Sequence, residues 1–315
     1  MRTMRVEQAG GALAMEDIAV PEPGKGEVLL KVKACGVNFA DTLMVKGTYQ
    51  ATPPYPFAPG IEVCGVVEGG SGLPVGMRVA AMAGAGGFAE YVTVPAATCM
   101  PVPDGMPDHH AAAFLVAYGT AHLGLEHRAR LKASETLLVL GAAGGVGLTA
   151  IEIGKLLGAT VIAAARGAAK LDVAKAAGAD HLIDTAEDNL RERVKALGGA
   201  DVVWDPVGGD LFTGAMRSTK PGGRLLPLGF ASGEVPQIPA NILLVKNLDV
   251  IGFYWGDYAH FDPATLVASL QKLFGWYGEG KLSPHVSHTL PLERAADALN
   301  LLVTRKATGK VVIAP

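Results

Sequence analysis

Apolar and polar positions alternate with a period of two over Glu27–Val37 (EVLLKVKACGV), as expected of a strand with one buried face. Short apolar runs at Ile61–Glu68, Met77–Met82 and Phe88–Val94 predict further strands, and the turn-rich stretch Gly69–Gly76 separates the first two. Together they read as a small, mostly antiparallel β unit. From about Tyr118 the rhythm changes. Strand-like runs at Thr136–Leu140, Thr160–Ala164, His181–Ile183, Asp201–Trp204, Arg224–Leu228 and Asp249–Phe253 alternate with longer helical patterns. The helical patterns lie at Gly145–Leu157, Lys170–Ala177, Asn189–Leu197 and Leu211–Met216. Such alternation predicts an α/β region with a doubly wound parallel sheet of six strands. Past Trp255 the chain reads as a helix (Pro263–Glu279), a strand near His285–Leu290, a helix (Leu292–Thr304) and a last strand, Gly309–Ile313. The tail is expected to return to the first unit, giving one domain of residues 1–117 plus 258–315 and a second of residues 118–257.

Composition narrows the reading. A chain of 315 residues, half of them hydrophobic and 18% charged, is long enough for two packed domains and unlike a disordered one. A net charge of −3 supplies no basic field for nucleic acid or an anionic membrane. The longest uncharged apolar stretch, Thr136–Ile151, is too short for a membrane span and is broken by glycines. Glu7, Glu16 and Asp17 interrupt any signal-peptide core near the start. Cys35, Cys64 and Cys99 form neither a CxxC pair nor an even framework, so they are expected as core thiols in a reducing cytoplasm.

The candidate chemistry begins where Leu137–Leu140 runs into Gly141-Ala142-Ala143-Gly144-Gly145-Val146-Gly147 and then a helical pattern. Small residues let the backbone approach a pyrophosphate, and a helix N-terminus offers unpaired N–H groups and a positive dipole. Ala143, Gly144, Gly145 and Val146 are the expected contacts; a glycine-rich turn without ligand is the alternative. A protein binding NAD usually ends the next strand with Asp or Glu for the ribose 2′-hydroxyl. Here that strand is followed by Arg166, Gly167 and Lys170. Two cations suit a 2′-phosphate, so NADPH is the expected cofactor, unless both are merely solvated surface residues.

Several blocks in order carry a resemblance. They are Cys35–Asp41 (CGVNFAD), Pro59–Gly65 (PGIEVCG), Gly87–Tyr91 (GFAEY), Ala117–Ala121 (AYGTA), the glycine loop and Ala307–Lys310 (ATGK). On these blocks the chain resembles the zinc-independent quinone oxidoreductases of the medium-chain dehydrogenase/reductase superfamily over nearly its whole length. The resemblance implies a GroES-like β domain beside a Rossmann domain, with the nicotinamide in the cleft between them. It implies that Gly229, Phe230, Phe253, Tyr254 and Trp255 lie along the cofactor, that Thr185 stands beside the adenosine, and that Lys310 returns toward the cofactor cleft. It also implies a homodimer paired through the last Rossmann strand, near Leu248–Tyr254.

Zinc enzymes of that superfamily need three protein ligands. Two of their ligand positions are Asn38 and Ile61 here, and the cysteine-rich structural lobe is missing between Met82 and Phe88. His109 and His110, at a helix start with no third ligand nearby, are no replacement, so no metal is expected. Without a Lewis acid, hydride transfer to an already electrophilic acceptor is the feasible reaction: a quinone or another conjugated carbonyl compound. Asn38, Tyr49 and Thr120 are the candidate polar groups facing that acceptor, against the alternative that the first and last stabilise turns and Tyr49 is a core aromatic. Two other functions stay open: an enoyl reductase of α,β-unsaturated thioesters or ketones, and a non-catalytic NADPH-binding sensor.

Overall fold

A computed structural model describes all residues, 1–315. The chain divides into two compact units, Met1–Val116 with Pro284–Pro315, and Ala117–Ser283.

The first unit opens with a hairpin, β1 (Arg2–Val6) and β2 (Leu13–Asp17), which the sequence pattern did not single out. Then come β3 (Glu27–Val37), helix α1 (Phe39–Lys46), β4 (Glu62–Gly70), β5 (Arg78–Met82), β6 (Tyr91–Pro95), β7 (Cys99–Pro101) and a short helix α2 (Asp108–Ala112). Along β3 the predicted alternation holds from Val28 to Ala34, with Val28, Leu30, Val32 and Ala34 buried. From Cys35 onward every residue is buried.

The second unit starts within α3 (Leu115–His122), which runs into a π-helical turn at Leu123–Arg128. It continues β8 (Thr136–Leu140), α4 (Gly145–Leu156), β9 (Thr160–Ala165), α5 (Ala168–Ala176), β10 (His181–Asp184), α6 (Leu190–Ala196), β11 (Ala200–Asp205), α7 (Gly209–Ser218) and β12 (Thr219–Pro227). After these come α8 (Ala240–Lys246), β13 (Asp249–Val250), α9 (Tyr258–Phe261) and α10 (Pro263–Gly278). All six strands are parallel, in the order β10-β9-β8-β11-β12-β13. Strands Leu137–Leu140 and Val161–Ala164 are buried throughout, as strands covered on both faces must be. The unit is the Rossmann domain that the alternation predicted.

The chain then re-enters the first unit through β14 (Val286–Pro291), α11 (Ala295–Val303) and β15 (Lys310–Ala314). β15 pairs antiparallel with β3, joining Val311 to Val37, and completes a seven-stranded sheet. The tail thus returns as expected, but later. Residues 258–283 belong with the second unit, not the first, because α10 is fastened there: His122 Nδ1 lies 2.8 Å from Ser269 Oγ, and Lys272 Nζ 2.6 Å from Glu126 Oε1. The last Rossmann strand is also shorter than predicted. It ends at Val250, and Ile251–Tyr254 leave the sheet.

Candidate functional site

In an open parallel sheet, ligands bind beyond the carboxyl ends of the strands where the strand order reverses. In the second unit that point lies between β8 and β11, and the glycine loop follows β8. Gly147 sits so close to the carbonyl oxygens of Gly141 and Ala142 that any Cβ would collide with them, so helix and loop pack at a distance only glycine allows. Gly144 caps α4 with extended backbone and no side-chain hydrogen bond. The first N–H groups of a helix have no intrahelical partner, so this twelve-residue helix presents a cradle for an anion. Trp204, fully buried on β11, donates its indole N–H to Val146 O (3.0 Å) and steadies that first turn.

The loop after β11 closes over the glycine loop: Val207 and Pro206 stand 3.0 and 3.5 Å from where a Cβ on Gly141 would be. Asp205 holds it. Its Oδ1 accepts from the N–H groups of Val207 (2.7 Å) and Gly208 (3.0 Å), while burial pushes its pKa up. Gly229 and Phe230 follow β12 and run beside this loop, with Leu228 N donating to Asp205 O and Ala231 N to Pro206 O. The Phe230 ring is well exposed.

Arg166 directly follows β9 and is exposed, Lys170 is half-buried in the first turn of α5, and Thr185 follows β10 with its N–H on Ala165 O. All three therefore lie at the carboxyl edge of the sheet. Asp184, which the sequence reading passed over, accepts from Gly167 N (3.0 Å) and Ala186 N (2.9 Å). Those two bonds, then the Arg166 charge, hold its carboxyl below the usual range. A carboxylate near this turn is thus present, but it is occupied by backbone.

Trp255 is 6% exposed, and its Nε1 has no hydrogen-bond partner in the protein. Its ring lies flush on Gly119 of α3; a Cβ there would be 2.6 Å from the indole, which explains the glycine in the AYGTA block. Thr120 is the next residue, half-buried. Tyr254 is exposed, and Phe253 packs against Tyr258 with ring centroids 5.8 Å apart.

In the first unit the structure brings Asn38 and Lys310 together and leaves Tyr49 elsewhere. Lys310, 7% exposed, donates to Glu62 Oε1 (2.8 Å), Asn38 Oδ1 (2.6 Å) and Val37 O (3.0 Å), so all three ammonium hydrogens are committed inside the unit. Asn38 Nδ2 in turn donates to Glu62 Oε1 (3.0 Å) and Gly36 O (3.2 Å), which occupies both amide hydrogens. Glu62 is fully buried and takes Val116 N on its other oxygen (3.0 Å). Asp41 accepts from Asn38 N (2.7 Å) and Gly60 N (2.9 Å), and burial raises its pKa to about 6 against those bonds. Glu62 and Asp41 were missed as members of this constellation; two carboxylates inside apolar, glycine-rich blocks were the available signal. Tyr49 packs partly buried against the cluster of Val6, Met44, Phe57 and Ile61.

A zinc ion does not fit these residues. Ile61 has no donor atom and sits in that apolar cluster, and the Asn38 amide is spent on Lys310 and Glu62. His109 and His110 pack edge to face with each other at the start of α2.

Comparison with known proteins agrees with this anatomy. Residues 24–104 match the family described as alcohol dehydrogenase GroES-like domain, and residues 145–271 the family described as zinc-binding dehydrogenase. A quinone oxidoreductase-like protein 2 homolog of Nematostella vectensis is 40% identical over 99% of this chain and 88% of its own. The quinone oxidoreductase of Thermus thermophilus, solved alone and with NADPH, superposes with a TM-score of 0.90 at 37% identity, covering all of both chains. A mycobacterial protein solved with NADPH gives a TM-score of 0.94 at 34% identity, again over the whole of both. The chain belongs to the zinc-independent, quinone oxidoreductase-type branch of the medium-chain dehydrogenase/reductase family.

Proposed function

We propose that this oxidoreductase uses NADPH to reduce a quinone or a similar conjugated carbonyl acceptor without a metal. The observation that carries the reading is the uncapped, glycine-lined start of α4 at the switch point, with Arg166 and Lys170 rather than a carboxylate directly after β9. The NADPH complexes of two similar structures support it. Bound there, the nicotinamide supplies a hydride; the protein supplies position and polar donors. Ala143, Gly144, Gly145 and Val146 hold the pyrophosphate, Arg166 and Lys170 the 2′-phosphate, and Thr185 lies beside the adenosine. Gly229, Phe230, Phe253 and Tyr254 line the remaining length.

Among the candidates for the acceptor, half-buried Thr120 is the better donor; the Trp255 N–H, though without a partner, is buried against Gly119, and its ring serves as a wall. Asn38 and Lys310 act indirectly, by fixing the backbone at Val37–Asp41. Tyr49 packs on the apolar cluster of the first unit and takes no part in the acceptor contacts. We place the dimer contact at the β13 edge and the adjoining α8, where Leu244 and Val245 are 79% and 78% exposed. Three unpaired cysteines fit a reducing compartment such as the cytoplasm, and no helix is long and apolar enough to cross a membrane.

The test is NADPH consumption by metal-free protein with a panel of quinones and enoyl thioesters, repeated with NADH. Quinone-dependent turnover selective for NADPH is expected. Turnover with enoyl thioesters alone would move the substrate class, and tight NADPH binding with no turnover on any acceptor would remove the enzymatic reading.

A further inference from the structure

The chain passes between the two units at two places only, Val116–Ala117 and Ser283–Pro284. Both crossings are tied to α4. Thr149 Oγ1 lies 3.0 Å from Ala117 O, Tyr118 Oη donates to Glu152 Oε2 (2.5 Å), and Glu152 Oε1 accepts from Ser283 N (2.9 Å). Thr149 and Glu152 are three residues apart and so share one face of the helix. One carboxylate therefore holds the second residue after the first crossing with one oxygen and the residue just before the second crossing with the other. Tyr118 is 1% exposed, and burial, then the Glu152 charge, drives its pKa far up, so the phenol stays the donor of that bond. Burial also raises the Glu152 pKa, against the bonds from Tyr118 and Ser283.

We infer that Glu152, with Tyr118 and Thr149, forms a positioning anchor that couples cofactor loading on α4 to the order of both chain crossings. This rests on the reading of α4 as the pyrophosphate helix. Glu152 stands seven residues beyond Gly145, about 10 Å along the same rigid helix. A dinucleotide that restrains the helix start restrains the carboxylate, and with it the Tyr118 hydroxyl and the Ser283 amide. The coupling is reciprocal by linkage: loosening the anchor weakens dinucleotide binding by the same factor by which the dinucleotide tightens the anchor. Because the 2′-phosphate plays no part in it, NADPH and NADH are affected alike.

The experiment is hydrogen–deuterium exchange on the full chain, with and without NADPH, for wild type, Tyr118→Phe and Glu152→Gln. Tyr118→Phe removes one hydroxyl and keeps the ring, so it remains informative should Glu152→Gln fold poorly. In wild type, NADPH is expected to slow exchange at residues 141–147 and also, by about fivefold or more, at the Ser283 amide. In Tyr118→Phe the first protection persists, the second shrinks, and NADPH and NADH both bind more weakly by a similar factor. A role confined to stability would lower the melting temperature and leave the NADPH-dependent protection of Ser283 intact, which overturns the inference. Protection of residues 141–147 with none at Ser283 in wild type overturns it too, while leaving the cofactor reading standing. No protection at residues 141–147 removes both.

Discussion

The two units treat their polar groups in opposite ways. Around Asn38 in the first unit, every hydrogen of the Lys310 ammonium and the Asn38 amide has an internal acceptor, and Glu62 and Asp41 are wholly buried. At the switch point of the second unit, α4 begins without a side-chain cap, and Arg166, after the neighbouring β9, is solvent-facing. A satisfied network gives a fold its shape, whereas open donors give it something to bind. The contrast also separates Asn38 from Thr120, both expected from the sequence to face the acceptor. Asn38 and Lys310 belong to the closed set, and Arg166 and Thr120 to the open one.

The contrast breaks most severely at Lys310. Lys310→Met leaves Glu62 as an uncompensated buried charge and is expected to cost about 3–5 kcal/mol of stability, read by urea unfolding. Adding Glu62→Leu to it is expected to recover much of that loss, because the stranded charge goes with it. Asp41 sharpens the same point through pH. A carboxyl whose folded pKa, about 6, exceeds its ordinary value of 3.8 binds more protons folded than unfolded. Its contribution is therefore fully present below about pH 4 and is lost as pH rises through 6, by up to roughly 3 kcal/mol. Comparing unfolding of wild type and Asp41→Asn between pH 4 and 7 isolates it.

On the open side the expected effects fall on ligands. Arg166→Ala removes charge-assisted hydrogen bonds worth roughly 1.5–3 kcal/mol and should weaken NADPH binding about 10- to 100-fold. NADH should bind as before; equal loss for both would take the 2′-phosphate away from Arg166. Thr120→Ala is the smallest change, about 0.5–1.5 kcal/mol, appearing as a several-fold drop in kcat with little effect on the NADPH KM. An unchanged kcat would remove the hydroxyl from the acceptor site.

Legibility in the sequence followed distance along the chain. The glycine loop, its strand and its helix are contiguous, and Thr136–Leu140 and Gly145–Leu156 lie within a residue of where periodicity put them. The Lys310–Glu62 pair joins residues 248 apart, and no local pattern encodes such a partner. The resemblance implies that Lys310 returns toward the cofactor cleft. Only β15 docking on β3 reveals that it faces Glu62. β12 starts at Thr219 rather than Arg224 because Thr219 already pairs with Ala200 of β11; Pro221 and Gly222, which locally signal a turn, lie in an irregularity before pairing resumes at Val202 and Arg224. The domain boundary slipped for a related reason: nothing in Pro263–Gly278 itself says that its buried face is matched to His122 and Glu126.

The late arrival of β15 carries a consequence for how the protein is made. The second unit is one uninterrupted stretch and can fold as soon as it has left the ribosome. The first unit cannot close when its own early strands emerge, because Val37 waits for a lysine 273 residues downstream. At about 5–20 residues per second that wait lasts roughly 15–55 s, during which the apolar edge of β3 is exposed to the cell, and the second unit is complete only for its last few seconds. The order of folding is thus the reverse of the order of synthesis, and the interval in which chaperones matter most falls on the N-terminal strands.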